Sequence, residues 1–259
     1  MKELASEPMQ IQGLPDGFKE GPYAFKHNNK YYLTFPWVQD KTETLAYAMA
    51  DSPMGPFTFT GIIMDESPSG CWTNHHSITE YNGQWYLFYH HNDYSPNFDK
   101  NRSARIDSLF FNTDGTIKKV KPTLRGVGIT DARSKIQIDR YSTISPYGVT
   151  IDYLGPSNTF EGWQTLFNRA GTWVTYNKVD FGTTPVKRLK ARVRSEKGGA
   201  ITLRTPGEKG MTIAELPIKP TGKWTEISTN VSNAPTSMQD LIITQTGENP
   251  VAVDWISFE

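Results

Sequence analysis

A single cysteine, Cys71, in 259 residues leaves no partner for an intrachain disulfide. A lone cysteine is more often a small buried apolar side chain than a reactive thiol. Net charge is absent too: 27 Lys and Arg balance 27 Asp and Glu. The chain therefore lacks the electrostatic footprint that nucleic acid or an anionic membrane surface demands, and neither is an expected partner. No apolar run approaches the roughly 18 residues of a membrane span, and the opening MKELASEPMQ has no hydrophobic signal-peptide core. Long stretches with apolar residues at i, i+3, i+4 and i+7 are missing, which argues against a helical architecture.

Turn formers and aromatics are plentiful: 21 Gly, 17 Pro, 7 Trp, 12 Tyr and 13 Phe. With the length of about two ordinary domains, this composition predicts an all-β protein with many turns. Short strands are expected at 31–35, 44–50 and 57–61, then again at 76–80, 84–90, 104–111 and 116–120, the last four punctuated by Asn82-Gly83 and Asp114-Gly115. HNNKYYLTF and YNGQWYLFY are the same pattern, a polar turn followed by aromatics around a leucine. A repeat spaced by about fifty residues is the size of a propeller blade, and this one provides two to three blades before it ends near Gly128, fewer than closed propellers have.

Residues 129–135, ITDARSK, read as a linker, and all five histidines precede it. Beyond it, short alternating segments at 173–181, 189–194, 200–204, 211–216, 224–229, 241–246 and 251–258 predict a β-sandwich over 136–259.

Glu20 lies in a Gly- and Pro-bounded loop just before the first aromatic strand, where hydrolytic carboxylates tend to sit. Glycoside hydrolysis needs two carboxylates across the scissile bond, one of them a protonated acid. Glu20 suits the acid; Asp40, Asp65, Asp93 and Asp99 are loop carboxylates without a motif that marks a base. His75 and His76 alternate across a strand, so one of them at most reaches a common centre with Glu20. His90-His91 repeat the arrangement, and Arg102 lies in position to hold a carboxylate or hydroxyl.

These words carry a resemblance. Glu20-Gly-Pro, Lys30-Tyr-Tyr-Leu, Asp51-Ser-Pro-Met-Gly-Pro-Phe, Asn74-His-His-Ser-Ile, Asn82-Gly-Gln-Trp-Tyr-Leu-Phe-Tyr-His, Arg102-Ser and Asn112-Thr-Asp-Gly-Thr-Ile, in this order over about residues 3–128, resemble the C-terminal part of the catalytic propeller of glycoside hydrolase family 43. The resemblance implies a five-bladed propeller that hydrolyses arabinofuranosides or xylosides with inversion, Glu20 as general acid, His75 at the central axis where a calcium ion is often held, and Arg102 in the substrate pocket. In the family the base and a second aspartate come from earlier blades, which this sequence does not contain. The chain alone is accordingly expected to be weak or inactive, and a second chain supplying blades is an expected partner. A non-catalytic carbohydrate-binding protein with a vestigial propeller is the alternative expectation.

Ile136-Gln-Ile-Asp-Arg-Tyr, Gly171-Thr-Trp-Val-Thr-Tyr-Asn-Lys-Val-Asp-Phe-Gly, Thr221-Gly-Lys-Trp and Val253-Asp-Trp-Ile-Ser-Phe resemble a family 6 carbohydrate-binding module, a jelly-roll sandwich. That resemblance implies structural calcium at Asp139 and Asp254, and sugar contacts at Trp224 and Phe167; the sugar-reading asparagine expected before Asp254-Trp255 is Ala252 here. An arabinose- or xylose-containing glycan is the expected partner and a secreted or periplasmic location the expected compartment.

Overall fold

The structure, a computed structural model, describes residues 7–94 and 98–259. Every regular element among them is a strand. Contacts divide the chain into two units, Met1–Pro122 and Thr123–Glu259.

The first unit contains a four-stranded antiparallel sheet, β1 (Tyr23–His27), β2 (Lys30–Val38), β3 (Glu43–Ala50) and β4 (Thr58–Met64), and a three-stranded one, β5 (Ser77–Tyr81), β6 (Gln84–His91) and β7 (Ser103–Leu109), each paired in chain order. The two hairpins of the repeat close identically. His27 pairs Lys30 across Asn28-Asn29, and Tyr81 pairs Gln84 across Asn82-Gly83, with all four turn residues at positive φ. That is the I′ geometry whose twist matches the flanking strands. Successive side chains of a strand point to opposite faces. Tyr32, Leu45 and Tyr47 therefore join Leu87, Tyr89 and Leu109 of the second sheet in one core, while Leu33, Phe35, Ala46 and Ala48 form another on the far face with Leu14 and Phe18. The result is two stacked meanders, the arrangement of consecutive propeller blades.

The strand expected at 116–120 is reduced to one bridge, Phe111 to Ile117. Asp114 captures both the amide and the hydroxyl of Thr116, at 2.9 and 2.6 Å, and the Val120 amide turns away to the Ile63 carbonyl at 2.7 Å. Ile117 and Val120 still enter the core, with pairing limited to the Asn112 amide on the Thr116 carbonyl and the Lys118 amide on the Phe110 carbonyl, at 2.7 and 2.8 Å.

The second unit is a sandwich. One sheet orders β10 (Thr143–Ile144), β13 (Trp173–Asp180), β18 (Met238–Gln245), β15 (Gly199–Arg204) and β16 (Thr212–Ile218), with β8 (Thr130–Asp131) beside β13. The other orders β11 (Val149–Gly155), β12 (Asn158–Phe167), β19 (Val251–Phe258), β14 (Arg188–Arg194) and β17 (Thr225–Asn230), with β9 (Ile136–Gln137) beside β19. Their inner residues, among them Ile136, Val174, Leu189, Ile201, Leu241 and Ile256, make a single core.

The expected linker is part of this sandwich, and the boundary falls after Pro122 rather than Gly128. β8 runs parallel to the end of β13, and Ala132 is fully buried between the Asp180 carbonyl and the Phe258 amide, each at 2.9 Å. Arg133 donates to the carbonyls of Phe181 and Thr184 at 2.9 and 2.7 Å. A polypeptide beginning at Thr123 should therefore unfold cooperatively by itself. One beginning at Ile136 should lose several kcal/mol, at about 1 kcal/mol per hydrogen bond given up; equal urea midpoints for the two would contradict this boundary.

Candidate functional site

Glu20 and His75 come from the loops that enter β1 and β5, the first strands of the two stacked sheets. His75 Nε2 lies 3.4 Å from Glu20 Oε1. Between them Gly21 holds φ +66°, and a Cβ there would meet Pro36 Cγ at 3.1 Å and His75 Cε1 at 3.3 Å. The Gly-Pro step thus gives the backbone its close approach to the histidine. The Glu20 side chain is 65% exposed, so burial does not isolate it from water.

A third member was not recognised in the sequence. Glu43, the first residue of β3, is buried, and one ligand atom each of Glu20, Glu43 and His75 lie within 4.8 Å of one another. Glu43 Oε2 accepts the Asn74 amide at 2.7 Å, and the Glu43 amide donates to the Trp72 carbonyl at 3.0 Å. The acid at the start of a strand otherwise apolar on both faces was the available signal: a buried carboxylate needs a specific partner.

One further histidine, His90, supports this centre. His90 Nε2 accepts the His75 amide at 3.1 Å, which in the neutral ring puts the proton on Nδ1, a buried atom without a hydrogen-bond partner. His76 turns to the other side and shares a 2.6 Å hydrogen bond with the Thr34 hydroxyl. Burial pushes His90 down to about 4, helped by the charge of the exposed Arg102, and pushes His91 down to about 3, helped by Arg105. Arg102 is thus close enough for its charge to act on His90. Asp93 forms an ion pair with Arg105.

The residues expected to act in the sandwich occupy different environments. Phe167 has no exposed surface and belongs to the central core, so it offers no face to a sugar, a correction that follows from its inward position at the end of β12. Trp224 is half-buried just before β17, with the guanidinium carbons of Arg192 and Arg194 at 5.2 and 5.3 Å from its ring centroid. Its ring is thus already engaged by cations rather than bare. Asp139 and Asp254 are both buried and line one cleft of about 330 Å³ together with Gln137, Glu161 and Trp163. Arg192 Nη1 contacts Asp254 Oδ2 at 2.5 Å, and Arg140 Nε lies 3.3 Å from Asp139 Oδ2.

Calcium fits these two places unequally. It takes six to eight hard oxygen donors, whereas the Glu20, Glu43 and His75 set includes an imidazole nitrogen better suited to softer cations. The sandwich cleft is lined by Asp139, Asp254, Gln137 and Glu161, which carry oxygen donors, and also by Lys135, Arg140 and Arg192. Burial pushes the Asp254 carboxyl up, against the opposing pull of Arg192 and Lys135. These oxygen-bearing residues are the donor type a hard cation takes, and its binding would require Arg192 and Arg140 to release the two aspartates.

A stacked pair of blades carrying Glu20 against His75, followed by a jelly-roll sandwich, defines a glycosidase-type propeller segment joined to a carbohydrate-module fold. The comparisons agree. Residues 4–117 match the model of glycosyl hydrolases family 43, and residues 144–259 match that of the carbohydrate binding module (family 6). The chain thus carries a stretch that matches family 43 followed by one that matches family 6. An arabinoxylan arabinofuranohydrolase of Paenibacillus polymyxa is 28% identical over 258 residues, covering 88% of this chain and 40% of that protein. A beta-xylosidase of Xylanibacter ruminicola is 43% identical over 109 residues, covering 41% of this chain and 32% of that protein. The crystal structure of a family 43 arabinoxylan arabinofuranohydrolase from Bacillus subtilis shares the fold with a TM-score of 0.56 at 24% identity, over 93% of this chain and 54% of that one. The chain therefore spans well under two thirds of the relatives it matches.

The buried histidines make the first unit acid-sensitive. Their folded pKa values lie below the ordinary 6.5, so as pH falls the unfolded chain takes up protons that the folded one refuses. Stability is full above about pH 6.5 and declines toward pH 4, with a slope of up to about 1.4 kcal/mol per pH unit for each ring. Urea unfolding at pH 7.5 and 5.5 should show this decline, flattened in His91→Gln; equal stability of the native chain at both values would refute it.

Proposed function

We propose that the chain is the acid-bearing part of an inverting glycoside hydrolase for arabinofuranosyl or xylosyl linkages of plant cell-wall glycans, with its sandwich as the glycan-binding part. The observation that carries this is the Glu20–His75 contact at the entrance of two stacked blades, inside a segment 43% identical to a beta-xylosidase. In this reading Glu20 donates its proton to the leaving glycosidic oxygen, His75 fixes the carboxyl from behind, and Arg102 faces the sugar hydroxyls.

Inversion also requires a base roughly 6.5–9.5 Å from the acid, with room for a water between them. Glu43 does not serve: it lies too close, is buried, and already binds the Asn74 amide. The base is accordingly placed outside the described residues, as the family resemblance implies, and on this reading the 259-residue chain by itself releases little sugar. The second reading, a non-catalytic glycan-binding protein, draws on this same want of a base. A further chain that completes the blades would reconcile the two, and would appear as a larger species by size exclusion. Either reading places the protein outside the cytoplasm, where such glycans are met.

Grafting residues 7–122 of this chain into the Xylanibacter ruminicola beta-xylosidase, in place of its matching stretch, should give an active chimera. Glu20→Gln should then cost about 10²–10⁴-fold in kcat, the ordinary worth of a general acid. A chimera indifferent to Glu20→Gln removes the proposed role, as does appreciable arabinose or xylose release by the native chain that survives the same substitution.

Calcium at Asp139 and Asp254 would tie the N-terminal strand of the sandwich to its last one. A ligand held only by the folded state stabilises it by about 2.7 kcal/mol at a hundredfold excess over Kd. Thermal unfolding in millimolar calcium should therefore occur higher than in EDTA, and Asp254→Asn should abolish the difference. An unchanged Tm in the native chain counts against the site.

A further inference from the structure

A second cavity, of about 360 Å³, opens at the β14–β15 end of the sandwich. This lies within the roughly 300–1,000 Å³ range of small-ligand sites. Leu166, Pro250 and Ala252 give it apolar walls, and Arg194, Lys197 and Glu196 supply its charges, one positive in balance.

Arg194 sets the chemistry. It and Arg192 project from the outer face of β14, on either side of the buried Val193, and both guanidinium groups lie over Trp224. The charge of Arg192 is answered by Asp254 at 2.5 Å. Among the described residues no carboxylate forms an ion pair with Arg194, although Glu196 stands two residues away on the rim of the same cavity. A half-buried guanidinium whose carbon lies 5.3 Å from an indole centroid has its rotamer freedom already reduced, and its fork matches a carboxylate bidentately. The apolar walls suit the C–H face of a pyranose ring. Where a neutral sugar would leave this cation unpaired, a sugar acid completes it.

We infer that this cavity binds a hexuronic acid residue of a glycan, with the sugar carboxylate on Arg194 and its ring against Leu166, Pro250 and Ala252. The inference rests on the glycan-binding reading of the sandwich and adds a chemical class to it: an acidic polysaccharide, with the uronate either a side branch or part of the main chain. Lys197 adds long-range attraction, and Glu196 disfavours a carboxylate placed on its side of the opening.

The test is affinity electrophoresis of the full chain in glucuronoxylan, polygalacturonate and neutral arabinoxylan, with titration calorimetry on uronate-bearing xylo-oligosaccharides. Retardation should be stronger in an acidic polysaccharide than in arabinoxylan. Glucuronoxylan identifies a branch and polygalacturonate a main-chain uronate. The preference should weaken as salt screens the pair. Arg194→Met should reduce affinity for the acidic oligosaccharide about tenfold, or about 1.4 kcal/mol, and Arg194→Lys, which keeps charge but not the fork, should fall between. Should Arg194→Met perturb folding, the preference of the native chain and its salt dependence still decide the matter. Equal retardation in all three, or a preference that survives both Arg194 substitutions in folded protein, overturns the uronate inference and leaves glycan binding standing. No retardation in any of them overturns both.

Discussion

A sheet that is apolar on both faces must be covered twice. In the first unit this applies to β1–β4: alternate residues of β2 and β3 feed two separate cores, one shared with β5–β7 and the other closed by Leu14 and Phe18. Face-to-face stacking follows, because the pleat sends neighbouring side chains in opposite directions and neither set can be left in water. Stacking in turn sets the site. With both sheets built in the same sense, the loops entering their first strands lie at the same end, and Glu20 and His75 meet there although 55 positions separate them.

The same logic accounts for Glu43 and the histidines. Once β3 is buried on both faces, a carboxylate at its start has no water to turn to; it binds the Asn74 amide and helps to fix the stretch that presents His75. His90 holds that stretch from the other side through the His75 amide. The exposed acid thus stands on a buried polar frame. In the sandwich the order is reversed. Its single core is apolar, and the charged groups are arranged outside it along β14, where Arg192 serves an internal carboxylate while Arg194 faces outward.

Local chemistry made the first unit legible. The Asn-Gly turn, the repeated aromatic strands and the Gly-Pro step after Glu20 are each determined by neighbours in sequence, and the structure keeps all of them. What escaped was long-range. Glu43 gains its meaning from an amide 31 residues away. ITDARSK looks like a linker until Ala132 is seen to be buried between two strands. The hairpin of β11 and β12 carries no clean alternation: Gly162 at φ +111° interrupts it and Phe160 is 97% exposed at its tip. Phe167 has the residue type of a sugar platform and the position of a core residue, a distinction that only packing makes. Thr116–Val120 alternates correctly, yet Asp114 takes the Thr116 amide and the Val120 amide turns to Ile63, so the pairing stops after two backbone hydrogen bonds.

The doubly covered sheet also bears on how such a sequence varies. In β2 the stretch Tyr32–Pro36 has no side chain free to face solvent, whereas β6 keeps Phe88 at 42% exposure on its outer side. Lineages carrying this segment can therefore drift on the second blade one face at a time. The first blade can change only through paired replacements that suit two cores together, so its words should be the last to erode.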